Sequence, residues 1–311
     1  MSLMIWLKEY APWVLGILAI LSLIFIVYLK FFSSKPIVKH YIYKATPQGK
    51  LQLQVHFPRN WTKNDRRPAI LFFFGGGWVS GELNQFLWLS NYLAKRGMVA
   101  IRANYRVDSR HHTTPNTAVE DGIDALKWLN HHGDELGINP QKIVSSGNSA
   151  GGHIAACLSL CNLQPPHELT ANIRPSLLAL FNPVLDLTNA SPELEFSRRE
   201  LELIKMMPNH VVNTISPNQH IDSHLPSSLL IFGDKDPLRQ QGDEFRRKAL
   251  EYGVMVKTVI AADQKHGFFN KEPWRSATTL ALDNFLIETG HLSGDPLPPE
   301  ESISNAELSI F

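Results

Sequence analysis

The feature that most restricts what this chain can fold into is one pentapeptide, Gly147-Asn148-Ser149-Ala150-Gly151. It lies between a short stretch, Lys142 to Ser146, bounded by turn formers, and a run after Gly152 with the Ala/Leu spacing of a buried helix. Glycines two before and two after a serine are what a sharp strand-to-helix turn requires, because a β-carbon at either place would collide with the neighbouring element. The pattern is G-x-S-x-G, the nucleophile elbow. Small residues also occur wherever a helix packs tightly on a strand, so the pentapeptide alone leaves that plainer reading open. The rest of the chain decides between them.

Around the pentapeptide the pattern alternates between apolar runs of strand length and amphipathic stretches of helix length. After an opening hairpin, IVKHYIYKA and KLQLQVHFP joined by TPQG, come AILFFF (69 to 74), a glycine-rich loop, a helix near 84 to 96 and MVAIRANY (98 to 105). A helix from about Val119 to His131 precedes the pentapeptide, and SLLALFNPVLD (176 to 186) follows its helix. SLLIFGD and VMVKTVIA then flank a helix containing GDEFRRKALEYG, and a last helix runs from about Pro273 to Thr289. Several strands are apolar throughout rather than on one face. That predicts an α/β fold with a mostly parallel central sheet covered by helices on both faces.

We read residues 37–291 as one catalytic domain, and 311 residues with 44% hydrophobic content suffice for a single large core. Residues 187–225 interrupt the rhythm with a helical piece, PELEFSRRELELIKMM, and are expected to form an insertion that caps a pocket. The tail, 293–311, is rich in Pro, Ser and Glu and is expected to be flexible.

A serine hydroxyl is a weak nucleophile, so it needs a base, an acid that orients the base, and donors for a developing oxyanion. The loop in FFFGGGWVSG can turn backbone N–H groups towards a bound carbonyl oxygen, which makes Gly76 and Gly77, with Ala150 just after the serine, the oxyanion-hole candidates. A flexible glycine turn is the plainer alternative. LLIFGDKDPL ends a strand with two aspartates, Asp234 and Asp236, of which one is expected to face the base while the other ends the strand. ADQKHGFF places His266 just after the next strand. Carboxyl ends of strands in an open α/β sheet face a common crevice, so Ser149, Asp236 and His266 can converge although far apart in sequence.

Other polar features carry less. His111-His112 and His131-His132 are adjacent pairs with divergent side chains and no accompanying Cys or carboxylate cluster, and His153 reads as a packing residue, so no metal and no cofactor is expected. Cys157 and Cys161 share a helix face as small buried hydrophobes. The formal net charge of +1, with no basic run longer than Arg246-Arg247-Lys248, argues against a nucleic-acid partner.

Residues 11 to 29 contain no charge over 19 positions, long enough for a helix to cross a ~30 Å hydrocarbon layer. A cleaved signal peptide would have a shorter apolar region followed by small residues at a cleavage site, and KFFSSKPIVKH offers no A-x-A. The expectation is therefore a single-pass membrane protein anchored through residues 11–32. Lys30, Lys35 and Lys39 after the span, against Lys8 beside Glu9 before it, lean the catalytic domain to the cytoplasmic side.

Taken together, FGGGW, NYR, GNSAGG, GDKD and HGF, spread from about residue 68 to 286, resemble the α/β-hydrolases of the hormone-sensitive-lipase-like and acetyl-esterase group. The resemblance implies Ser149 as nucleophile, His266 as base, Asp236 as acid, and Gly76, Gly77 and Ala150 in the oxyanion hole. One departure concerns the loop: Phe74 stands where the family usually has a histidine before the three glycines. The expected activity is hydrolysis of a small-molecule carboxylic ester through an acyl-enzyme. A short acyl group is expected, because the insertion is brief and bulky Phe74 and Trp78 flank the oxyanion loop. Two alternatives are an amide or formamide hydrolase on the same triad and a non-catalytic binding protein on a hydrolase scaffold.

Overall fold

The computed structural model describes residues 10–32, 36–170, 173–298 and 306–311. Two compact units, Met1–Pro36 and Ile37–Phe311, divide the chain. In the first, helix α1 runs Ala11–Phe32. Its side chains are described for residues 13–25, a stretch that rises only about 20 Å at 1.5 Å per residue. Among the described residues no helix is long and apolar enough to cross a membrane, so the expected transmembrane anchor finds a helix but no span to support it.

The second unit is built on a nine-stranded sheet: β1 Ile37–Thr46, β2 Gly49–Phe57, β3 Arg67–Phe73, β4 Val99–Ala103, β5 Ile138–Asn148, β6 Leu177–Phe181, β7 Ser228–Gly233, β8 Val256–Ala261 and β9 Leu308–Ile310. Their spatial order is β1-β2-β4-β3-β5-β6-β7-β8-β9. β1 and β2 pair antiparallel, as the hairpin pattern requires, and β2 pairs antiparallel with β4; β4, β3, β5, β6, β7 and β8 then run parallel. Every residue of β4, β6 and β7 is buried, the signature of strands covered on both faces.

Helices among the described residues of this unit are α2 Leu87–Lys95, α3 Asp108–His111, α4 Pro115–His131, α5 Ala150–Leu160, α6 Arg198–Lys205, α7 Asn209–Thr214, α8 Arg239–Glu251 and α9 Trp274–Glu288. Helix α4 starts four residues earlier than the pattern suggests, at a proline whose missing N–H costs nothing in a first turn. All eleven residues of α5 are buried, so its Ala, Gly and Cys content reflects close packing. Cys157 and Cys161 are free and buried on it.

Within SLLALFNPVLD, β6 covers Leu177–Phe181, and Asn182 then turns left-handed at φ 44° before Pro183. The tail 293–311 does not stay apart from the fold, since Leu308–Ile310 pairs antiparallel with β8; residues 299–305 lie outside the described residues.

Candidate active site

Ser149 stands between β5 and α5 with φ 52° and ψ −123°, a backbone conformation in which an ordinary side chain is strained. Two contacts hold it there: its N–H donates to the carbonyls of Phe181 (3.0 Å) and Asn182 (3.1 Å) at the end of β6. The flanking glycines are required sterically. A β-carbon on Gly147 would lie 2.4 Å from the Gly151 carbonyl oxygen, and one on Gly151 would lie 2.2 Å from that of Phe73. The turn therefore wedges the serine up against the end of β3, with the α5 N-terminus behind it.

The glycine loop after β3 is built as tightly. Gly76 (φ 133°) and Gly77 (φ 63°) occupy conformations that favour glycine, and a β-carbon on Gly76 would lie 2.4 Å from the Ser80 carbonyl oxygen. The Gly76 carbonyl closes the loop by accepting from Val79 and Ser80 N–H, both at 3.0 Å, and Gly75 N–H donates to Gln85 Oε1 at 2.6 Å. Among the described hydrogen bonds, the N–H groups of Gly76, Gly77 and Ala150 have no protein acceptor.

Phe74 and Trp78 do not line the cavity here. Both are buried; Phe74 stacks on Tyr105 with ring centroids 4.2 Å apart, and the Tyr105 hydroxyl donates to the Phe74 carbonyl at 2.6 Å. Packing of Phe74, rather than a polar side chain, orders the loop entrance. Bulk at these two positions is thus no ground for a short-acyl preference.

Asp236 and His266 come from the ends of neighbouring parallel strands, β7 and β8. His266 Nδ1 lies 2.9 Å from Asp236 Oδ2; the carboxylate is fully buried while the imidazole is partly exposed. Leu238 N–H donates to Oδ1 at 3.0 Å, and Asn182 Nδ2 donates to Oδ2, so the acid is held from three sides. Gly233 lets the two loops meet: a β-carbon there would lie 2.1 Å from the Gln264 carbonyl oxygen, which accepts from Lys235 N–H. Buried Phe268 and Phe269 then anchor the turn after His266. Asp234 is exposed at the strand end.

Ser149, His266, Asp236, Gly76 and Gly77 all line one cavity of about 350 Å³. Val184, Leu194, Phe196 and Leu238 supply its apolar wall, two of them from the 187–225 insertion. Ala150 is buried directly behind the serine. Among the described residues no group of His, Cys, Asp and Glu is arranged to hold a metal ion.

The sequence reading missed Asn182, Gln85, Glu200 and Asp108. Asn182 grips the acid from the turn after β6, and the Asn-Pro pair ending that apolar run was its available signal. Gln85 and Glu200 are long side chains reaching in from helical turns, and nothing in their local spacing marks them. Asp108 accepts two 2.8 Å hydrogen bonds from Arg199 of α6, and so ties the insertion to the segment whose Asp108 N–H donates to the Trp78 carbonyl.

Residues 70–270 match the family model described as alpha/beta hydrolase fold. Among curated proteins, the chain is 25% identical over 259 residues to Esterase LipI of Mycobacterium tuberculosis, covering 78% of each. It is 27% identical over 251 residues to an arylesterase of Saccharolobus solfataricus, covering 76% of this chain and 78% of that one. Among solved structures it is similar to esterase 2 of Thermogutta terrifontis phosphonylated by sarin, at TM-score 0.77 and 33% identity, over 84% of this chain and 98% of that one. The butyrate-bound form of that esterase matches at TM-score 0.73 and 34% identity, over 84% and 96%.

Proposed function

This chain belongs to the α/β-hydrolases and is an esterase among them, and we propose that it cleaves carboxylic esters through an acyl-enzyme on Ser149. In this reading Ser149 Oγ attacks the ester carbonyl, and His266 Nε2 takes its proton. The oxyanion is met by the N–H groups of Gly76, Gly77 and Ala150, which carry no competing protein acceptor. His266 then returns the proton to the departing alcohol, and a water activated by the same imidazole releases the acid. Asp236 holds the imidazole by Nδ1, leaving Nε2 directed at the chemistry.

The observation that carries the proposal is the convergence on one cavity of a strained serine turn and a partly exposed imidazole held by a buried aspartate. The related esterase, phosphonylated by sarin, supports a nucleophile open to electrophilic phosphorus esters. A short acyl group remains the proposal on different grounds: the cavity is about 350 Å³, and the butyrate-bound relative holds a four-carbon acid. Rates on p-nitrophenyl esters of increasing chain length test it, and faster turnover of long chains than of acetyl or butyryl would overturn it. Comparing matched esters and amides separates this reading from amide hydrolysis.

Attachment to a membrane through residues 11–29, with the catalytic domain on the cytoplasmic side, rests on sequence alone: an uncharged run followed by Lys30, Lys35 and Lys39. Alkaline extraction of membranes tests attachment, and protease added to intact cells tests orientation. A chain released by alkali, or a domain cut without lysis, overturns the respective half.

A further inference from the structure

The catalytic cavity is lined by two carboxylates that the hydrolytic chemistry does not use, Glu195 and Glu200, and by no lysine or arginine among its described lining residues. Both come from the 187–225 insertion. Glu200 is held in place from below. Its Oε2 accepts from Ser197 N–H at 2.6 Å while its own N–H donates to Ser197 Oγ, a capping box that starts α6. Its Oε1 has no protein donor among the described hydrogen bonds, and it points at the oxyanion loop: a β-carbon on Gly77 would lie 2.0 Å from it.

The acidity continues outward. A hollow of about 390 Å³ shares Glu195 and Asp236 with the cavity and adds Glu193, Asp234 and Asp243. Its two cations are engaged, Lys235 by Asp263 at 2.6 Å and Arg239 by Asp243 at 3.5 Å. The chain as a whole carries a formal charge of +1, so this concentration of negative charge is local to the site. Such a field attracts cations to the mouth and repels anions. A free carboxylate beside donors meant for an oxyanion also opposes charge development there, and a positive charge in the substrate would offset that opposition.

We propose that Glu200 is a specificity-determining residue that selects esters carrying an ammonium group near the scissile bond. The assignment rests on the ester-hydrolase reading. The test compares butyrylcholine with its uncharged isostere, 3,3-dimethylbutyl butyrate, on the full chain. The ratio of their kcat/KM values favours the cation at low salt, shrinks in high salt, and falls roughly tenfold in Glu200→Gln, mostly through KM. Glutamine keeps the capping acceptor, so helix α6 stays formed. Calorimetric titration of butyrylcholine into Ser149→Ala, with and without Glu200→Gln, reads the same contact without turnover and shows the same loss. A ratio or an affinity that Glu200→Gln leaves unchanged overturns the proposal. Absence of hydrolysis of the neutral ester counts against the ester-hydrolase reading instead, and the calorimetry still decides the ammonium contact.

Discussion

His266 Nδ1 stands 2.9 Å from Oδ2 of Asp236, a carboxylate with no exposed side-chain surface that Leu238 N–H and Asn182 Nδ2 also grip. Because the acid accepts at Nδ1, it selects the imidazole tautomer whose Nε2 can take a proton. Asp236→Asn presents an amide that can stabilise the other tautomer, and turnover should fall on the order of 10⁴-fold. Asp234→Asn, at an exposed strand end, should leave turnover within about twofold, as surface changes away from a site usually do. Steady-state rates on p-nitrophenyl butyrate compare the two, and equal small losses would show that the acid lies elsewhere.

Removing the Ser149 hydroxyl deletes the oxygen proposed to attack but none of the backbone contacts to Phe181 and Asn182 that hold the turn. Ser149→Ala should therefore abolish ester hydrolysis with an unchanged melting curve. Paraoxon should inactivate the native chain with one covalent adduct by mass spectrometry and leave the variant unmodified. An adduct of equal yield on the variant would place the nucleophile at another residue.

The parallel sheet was legible because parallel strands are buried on both faces and so read as continuous apolar runs, as in LLALF and SLLIFG. The elbow was legible for a related reason: Gly147 and Gly151 are excluded from carrying a side chain by backbone atoms of β3 and α5, a constraint that must appear in the sequence. Asn182 and Glu200 were not legible. Each acts through a side chain reaching an element distant in sequence, Asn182 to Asp236 and Glu200 to Gly77, and such contacts leave no local period. The strand at 308–310 was hidden for a third reason. Its pairing with β8 is made by backbone groups, which a Pro- and Ser-rich neighbourhood does not reveal.

Gly151→Ala tests the packing of the elbow rather than its chemistry. The added methyl meets the carbonyl oxygens of Phe73 and Phe74 at 2.2 and 2.3 Å, atoms of buried backbone that cannot rotate away. The expected cost is about 2 kcal/mol or more, the upper part of the usual overpacking range. Denaturant unfolding measures it, and a midpoint equal to wild type would mean that α5 sits farther from β3 than described.

Stability should fall as pH drops from about 6.5 towards 4. Burial pushes the His153 imidazole down to about 4 from its ordinary 6.5, while Nε2 stays bonded to the Ile215 carbonyl at 2.6 Å. In this interval the unfolded chain binds a proton that the folded chain refuses, so the contribution is complete above 6.5 and is lost progressively as pH falls to the folded value. The gap corresponds to on the order of 3 kcal/mol. Urea unfolding at stepped pH should show the decline, and His153→Gln should make it shallower, with His56, its imidazole also pushed down to about 4 by burial, supplying a further part. An identical slope in the variant would assign the acid sensitivity to other groups.

The insertion that carries Leu194, Phe196 and Glu200 is tied to the body by Arg199, whose Nε and Nη2 each donate at 2.8 Å to the nearly buried carboxylate of Asp108. Asp108 N–H in turn donates to the Trp78 carbonyl, and Ser109 N–H to that of Val79, so one side-chain pair joins the cavity wall to the far end of the glycine loop after β3. Arg199 is itself half-exposed, so the pair should matter little to global stability. Its effect should lie in holding the wall where substrate meets it. Arg199→Ala should raise KM several-fold with little change in the melting curve. Arg199→Lys should restore only part of the loss, because an ammonium cannot make the two parallel hydrogen bonds of a guanidinium. In a double-mutant cycle Asp108→Asn should add little to Arg199→Ala, since both remove the same contact. Additive effects on KM would show that the two residues act independently and that the wall is held by other contacts.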